Sequence, residues 1–295
     1  MELWIVFSLT AALAQTLRFA VQKSLAAGTL SPAAATWARF LWSWPLALGL
    51  ATLYGQLIGA SFPNFSMRFV AYGLAGGLFQ ILATICTVSL FRQRAFAVGI
   101  TFKKTEVMLT ALVGYVLLGD VIPALGAAAI ALGFVGVLLL SEPPRGGSLF
   151  NRAAAIGLLS GVLFALSAVT YRGAALALDT GDPVLTGGIT LAVVAAWQTL
   201  VLWLWLWARE PGQISTTLKA WRPTLVVSLF SLVGSWSWFA AFSLMNAAYV
   251  FAVGQVELIF SLIIGWLWFG ERLTSRELLG IGTLTLSILA ISFLF

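Results

Sequence analysis

Long apolar runs separated by short polar breaks fill the whole chain, and each run is about the length a helix needs to cross roughly 30 Å of hydrocarbon. Helices are expected over 2–27, 31–56, 68–90, 95–118, 121–140, 153–178, 183–208, 220–243, 246–269 and 274–294. The breaks at 28–32, 61–64, 119–120, 141–148, 179–183, 210–213 and 270–271 are built from Gly, Pro, Ser, Asn and Asp, the residues of turns. Backbone groups cannot go unpaired in lipid, and the ten-residue alternation of a β-barrel is absent, which leaves helices. The fold class expected is therefore an all-α integral membrane protein of ten transmembrane helices. The run 2–27 is longer than the apolar core of a signal peptide and carries Gln15 and Arg18, so it reads as a retained helix.

A shift of 151 residues lays EVMLTALVGYVLLGD (106–120) on ELIFSLIIGWLWFGE (257–271). Glu106 then meets Glu257, Gly114 meets Gly265, Gly119 meets Gly270 and Asp120 meets Glu271, the mark of an internal repeat. The polar stretch SEPPRGGSLFNR sits near the chain's midpoint, so the halves divide as a five-helix repeat over 1–141, a linker at 142–152 and a second repeat over 153–295. Five is odd, so the second copy enters the membrane inverted, the plan of secondary transporters with a site between the halves near the midplane. Glycines 114, 119, 265 and 270 read as close contacts and turns, and Asp120 and Glu271 as caps of the following helix.

Composition agrees: 61% of residues are hydrophobic and 9% charged, against about 25% charged in a soluble domain. The formal charge of +6 is spread thinly over loops and helix ends, which fits membrane topology better than nucleic acid. Arg92, Arg94, Arg145, Arg152, Arg209, Lys219, Arg222, Arg272 and Arg276 gather on one side, with Arg68 and Arg172 opposite, so the termini are expected to face outward. There is no histidine, and Cys86 is the one cysteine, so neither a metal site, a cofactor nor a histidine-activated nucleophile is expected. No P-loop signature occurs, which argues against ATP hydrolysis, and no enzyme is expected.

The segment AAYVFAVGQVELIFSLIIGWLWFGERLTSRELLGIGTLTLSILAI (247–291) resembles the EamA type of the drug/metabolite transporter superfamily. The likeness lies in an alanine-rich helix start, Gln and Glu in mid-helix, then Gly-Glu-Arg-Leu-Thr and a Gly-containing last helix; 95–140 is a weaker copy with Asp120 in place of the turn glutamate. The resemblance implies an ATP-independent carrier of metabolites or drugs in a bacterial inner membrane, often an exporter of amino acids. The abundant Trp and the lysines of the fourth helix look most like aromatic amino acid exporters. Many members have proline after the mid-helix glutamate, whereas Val107 and Leu258 stand here, which puts a helix kink at that point in doubt.

A charge at the bilayer centre costs at least about 2.5–3.5 kcal/mol, so each intramembrane ionisable group is a candidate for the site. Gln15, Arg18 and Gln22 share one face of the first helix, and Arg18 and Lys23 have snorkelling as their other reading. Lys103, Lys104 and Glu106 crowd one turn of the fourth, where Lys103 and Glu106 are spaced to pair, with a structural ion pair as the alternative. Gln255 and Glu257 are the repeat counterparts of Lys104 and Glu106. Ser167, Tyr171, Trp236 and Trp238 lie deeper than the remaining aromatics and either line a cavity or pack; Trp42, Trp44, Trp203, Trp205, Trp207 and Trp221 read as interfacial anchors.

These features point to export of a small zwitterion by alternating access: a carboxylate meets Lys103, Lys104 or Arg18, an ammonium or proton meets Glu106 or Glu257, and the tryptophans of the eighth helix meet the side chain. An anion such as a sugar phosphate is the second reading, and a non-transporting scaffold or enzyme the third. The partners expected are the small solute and the bilayer; proton coupling and oligomeric state stay open, a monomer being compatible.

Overall fold

The computed structural model describes residues 2–27, 30–61, 63–90, 103–140, 152–178, 180–260, 262–263 and 274–294, side chains excepted at 23, 24, 26 and 27. The elements are α1 (Leu3–Ala27), α2 (Pro32–Leu41), α3 (Ser43–Leu57), α4 (Met67–Leu90), α5 (Glu106–Leu118), α6 (Ala124–Leu140), α7 (Arg152–Leu178), α8 (Pro183–Arg209), α9 (Gln213–Lys219), α10 (Trp221–Leu244), α11 (Ala247–Gly254) and α12 (Ser275–Leu294). No strand occurs among the described residues. Six of these helices are long and apolar enough to cross a membrane, and three further apolar helices are shorter. The midpoint linker, Arg92, Arg94, Arg145, Gly265, Gly270, Glu271, Arg272 and the side chain of Lys23 lie outside the described residues.

Local chemistry sets the helix ends. Ser31 accepts from Ala34 N–H at 3.1 Å ahead of Pro32, and Asp182 accepts from Leu185 N–H at 2.7 Å ahead of Pro183. Thr274 and Glu277 form a reciprocal box at the start of α12, with Thr274 N–H donating to Glu277 Oε2 at 2.7 Å and Glu277 N–H to Thr274 Oγ1 at 3.3 Å. Gly119, at φ 69°, ends α5, and Asp120 N–H turns back to the Gly114 carbonyl at 3.2 Å.

The expected boundaries change at five places. The helix expected over 31–56 breaks at Trp42, because Pro45 has no N–H for the Leu41 carbonyl and its ring crowds that turn. Ser228 of α10 repairs the break: its hydroxyl accepts from Trp42 N–H at 3.2 Å and donates to the Ala38 carbonyl at 2.7 Å. α6 begins at Ala124 instead of 121, just after Pro123, and Asp120 caps nothing; it pairs with Arg172. The stretch after Glu210 contains the short helix α9, which no apolar period announced. Within the helices expected over 95–118 and 246–269, turns interrupt the backbone at Lys104-Thr105 and Gln255-Val256; 95–102 and 264–269 lie outside the described residues.

Packing crosses between the halves of the chain. α4 packs most extensively on α7, α1 on α10 and α12 on α6, while α8 lies against α2, α3 and α10. Ala34, Ala35, Ala38, Ala165, Ala240 and Ala241 are fully buried, letting the helix axes approach closely in place of large interdigitating side chains. Leu53, Leu112, Val116, Leu125, Leu279, Leu286 and Phe293 point outward, an apolar surface suited to lipid.

Candidate functional site

The two backbone interruptions stand at positions related by the 151-residue repeat, Lys104 against Gln255 and Thr105 against Val256. Neither contains proline. At the second, Gln255 N–H bonds back three residues to Ala252 at 3.3 Å and Val256 N–H to Val253 at 3.1 Å, so a tight turn replaces a helical one. The kink left in doubt by Val107 and Leu258 is thus present one turn earlier, and it brings the charged side chains together.

Lys104 donates to Glu257 Oε1 across the halves, and Gln15 Nε2 donates to Glu257 Oε2 at 2.6 Å. Thr16 Oγ1 lies 3.4 Å from the Glu257 carbonyl. Lys103 pairs with Glu106 at 3.1 Å, the three-residue step the sequence suggests, and sits 4.8 Å over the Phe164 ring. All four charged groups are buried. Gln255 donates Nε2 to the Phe251 carbonyl at 3.3 Å, and its buried Oε1 has no partner among the described residues.

Two adjoining cavities open beside this cluster. One, with about 290 Å³ of empty space, is lined by Gln15, Lys103, Glu106, Gln255, Glu257 and aromatic neighbours. The other, with about 360 Å³, is lined by Gln80, Ser167, Tyr171, Ser235, Phe239 and Phe242; Gln15, Phe164, Trp238 and Phe251 border both. Trp238 stacks on Phe242 at 5.9 Å and meets Phe251 edge-on at 5.3 Å, which fixes an aromatic wall. Behind that wall the Tyr171 hydroxyl donates to Gln80 Oε1 at 3.1 Å and accepts from Gln198 Nε2 at 3.2 Å, tying α4, α7 and α8 together.

Of the residues singled out from sequence, the structure gathers Gln15, Lys103, Glu106, Ser167, Tyr171, Trp238, Gln255 and Glu257 around these cavities. Lys104 joins through its ion pair. Trp236 stands apart: its indole N–H donates to the Val184 carbonyl at 2.7 Å and its ring packs on Gly188, because α10 turns its neighbour Trp238 inward and Trp236 toward α8. Arg18 and Gln22 are buried and bonded to each other at 2.6 Å, with Gln22 Nε2 donating to the Ala35 carbonyl at 2.8 Å, so they face α2 and do not line either cavity. Sequence reasoning missed Gln80, Gln198 and Arg39. The signal for Arg39 was present, an arginine inside an apolar run with no acidic residue within four positions.

A helical bundle with an apolar outer surface and six helices long and apolar enough to cross a membrane is that of a multi-pass membrane protein. Residues 151–293 match the model of the EamA-like transporter family. That family is one of membrane transporters of small molecules. No curated protein matches the sequence. Among solved structures 29 chains are similar, and one crystal structure of a protein aligns at a TM-score of 0.75 with 14% identity, covering 99% of this chain and 96% of that chain, a likeness of fold.

Proposed function

We propose that the protein exports amino acids, aromatic ones included, across a bacterial inner membrane by alternating access. The observation that carries this reading is the pair of adjoining cavities: one presents buried groups of both signs, Lys103, Glu106 and Glu257, and the other an aromatic wall at Trp238, Phe239 and Phe242. A zwitterion with an aromatic side chain matches both in chemistry. Ten spans in two inverted five-helix repeats fit the packing, since α4 on α7 and α1 on α10 are the same pair with the halves exchanged, and α6 on α12 is its own counterpart. With that count Arg152, Arg209, Lys219, Arg222 and Arg276 fall on one side, which favours outward termini.

The test is uptake of labelled phenylalanine, threonine and a sugar phosphate into liposomes holding the purified protein, with and without a pH gradient. Saturable amino acid flux is expected, and replacing Lys103 and Lys104 by Met together with Glu106 and Glu257 by Gln, which removes each ion pair whole, should abolish it while folded protein remains. Flux of the phosphate alone would favour the second reading, an anion carrier, which draws support from the buried guanidiniums that have no carboxylate partner among the described residues. Absence of any flux would return the chain to a scaffold.

A further inference from the structure

The buried charges of the bundle do not balance. Lys103 is matched by Glu106 and Lys104 by Glu257, whereas Arg18 and Arg39, each 2% exposed, have no carboxylate partner among the described residues. Arg39 is held by three neutral hydroxyls: Nε donates to Ser231 at 2.9 Å, Nη1 to Thr84 at 3.2 Å and Nη2 to Ser235 at 3.2 Å. A guanidinium shielded from water and given no counter-ion is costly, and the cost is offset where an anion arrives.

Only one of the two arginines connects to the cavities. Ser235, bonded to Arg39, lines the aromatic one together with Tyr171. Ser235 and Trp238 are three residues apart on α10 and share its inner face. A ring stacked against Trp238 therefore directs its polar end toward Ser235 and the guanidinium behind it. The planar fork of arginine matches a carboxylate or phosphate with two parallel hydrogen bonds, which no single hydroxyl supplies.

We infer that Arg39 receives the anionic group of the substrate, with the Ser235 hydroxyl turning aside to admit it. Lys103 and Lys104, each neutralised by a glutamate, then leave the carboxylate to Arg39, and the adjoining mixed-charge cavity receives the ammonium carried on the same carbon. This assignment rests on the placement of substrate in the cavity given under the proposed function.

Equilibrium binding to the purified full chain tests it with four probes: phenylalanine, phenylalaninol, 3-phenylpropionate and phenyl phosphate. Phenylalaninol keeps the ring and ammonium but has no carboxylate, so the wild type should bind phenylalanine at least about tenfold more tightly. Arg39→Gln should bring that ratio close to one, Arg39→Lys should keep part of it, and Ser235→Ala, which frees a guanidinium N–H for the ligand, should raise it. Arg39→Gln removes an unmatched buried charge and is expected to remain folded, which thermal melting checks; Ser235→Ala alters no charge and carries the test independently. An unchanged ratio in Arg39→Gln, or equal weakening of both ligands as a purely structural role would give, overturns the assignment and leaves the proposed function standing. Arg39-dependent binding of 3-phenylpropionate or phenyl phosphate without phenylalanine supports the assignment and overturns the amino acid reading. A wild type that binds none of the four overturns both.

Discussion

Lys104 and Glu257 come from opposite halves of the chain and neutralise each other in a buried place where neither tolerates solitude. Removing one partner of such a pair leaves an uncompensated charge, at a cost of about 3–5 kcal/mol. Glu257→Gln should therefore lower stability by roughly that amount, and adding Lys104→Met should recover most of the loss. Equilibrium unfolding in mixed detergent micelles measures both, and a double variant as unstable as the two singles summed would show that the pair contributes no coupling. Gln15 donates to the second oxygen of the same carboxylate, so its geometry depends on Glu257 remaining in place.

At the scale of elements, close approach of helix backbones replaces the interlocking of large side chains. A Cβ added at Gly136 of α6 would stand 2.8 Å from the backbone nitrogen of Leu284 in α12, and backbone cannot swing away as a side-chain end can. Gly136→Ala is expected to cost about 1–3 kcal/mol by forcing α6 and α12 apart. Gly282, on α12 itself, faces open space, and Gly282→Ala should be neutral or gain up to about 1 kcal/mol from helix propensity. Thermal melting of the two variants side by side separates packing from propensity, and equal effects would refute the close approach. The broken α2–α3 segment follows the same economy of backbone: Pro45 opens the helix, and the Ser228 hydroxyl of α10 bridges Trp42 N–H and the Ala38 carbonyl at the break.

Across the whole molecule, one ion pair ties three regions at a single end of the bundle. Arg172 donates to Asp120 at 3.0 Å and also to the carbonyls of Phe242 and Met245 at 2.9 and 2.8 Å, joining the end of α5, the end of α7 and the turn between α10 and α11. Phe242 lines the aromatic cavity, so this staple is tied to the backbone of its wall. Asp120→Asn should loosen that end. In a Cys86→Ser background carrying Ser167→Cys on the cavity wall, a water-soluble maleimide is expected to react several-fold faster once Asp120→Asn is added. An unchanged rate would mean that this end opens independently of the pair.

The apolar runs, the sparse charges and the turn residues at the breaks make the helical membrane fold legible from sequence alone, because lipid permits few backbone solutions; the caps at Ser31, Asp182 and Thr274 came from the structure. The Lys103–Glu106 pair was legible from its local spacing. The breaks at Lys104-Thr105 and Gln255-Val256 were not, since no proline announces them. Nor does spacing predict that Trp238 faces the cavity while Trp236 faces Val184, that Asp120 meets Arg172 and caps nothing, or that Arg39 rests among hydroxyls from α4 and α10. Hydrophobic periodicity settles what each segment is, since it depends on neighbours a few residues away; which charges meet is decided by the docking of whole helices, a long-range result that only the tertiary structure contains.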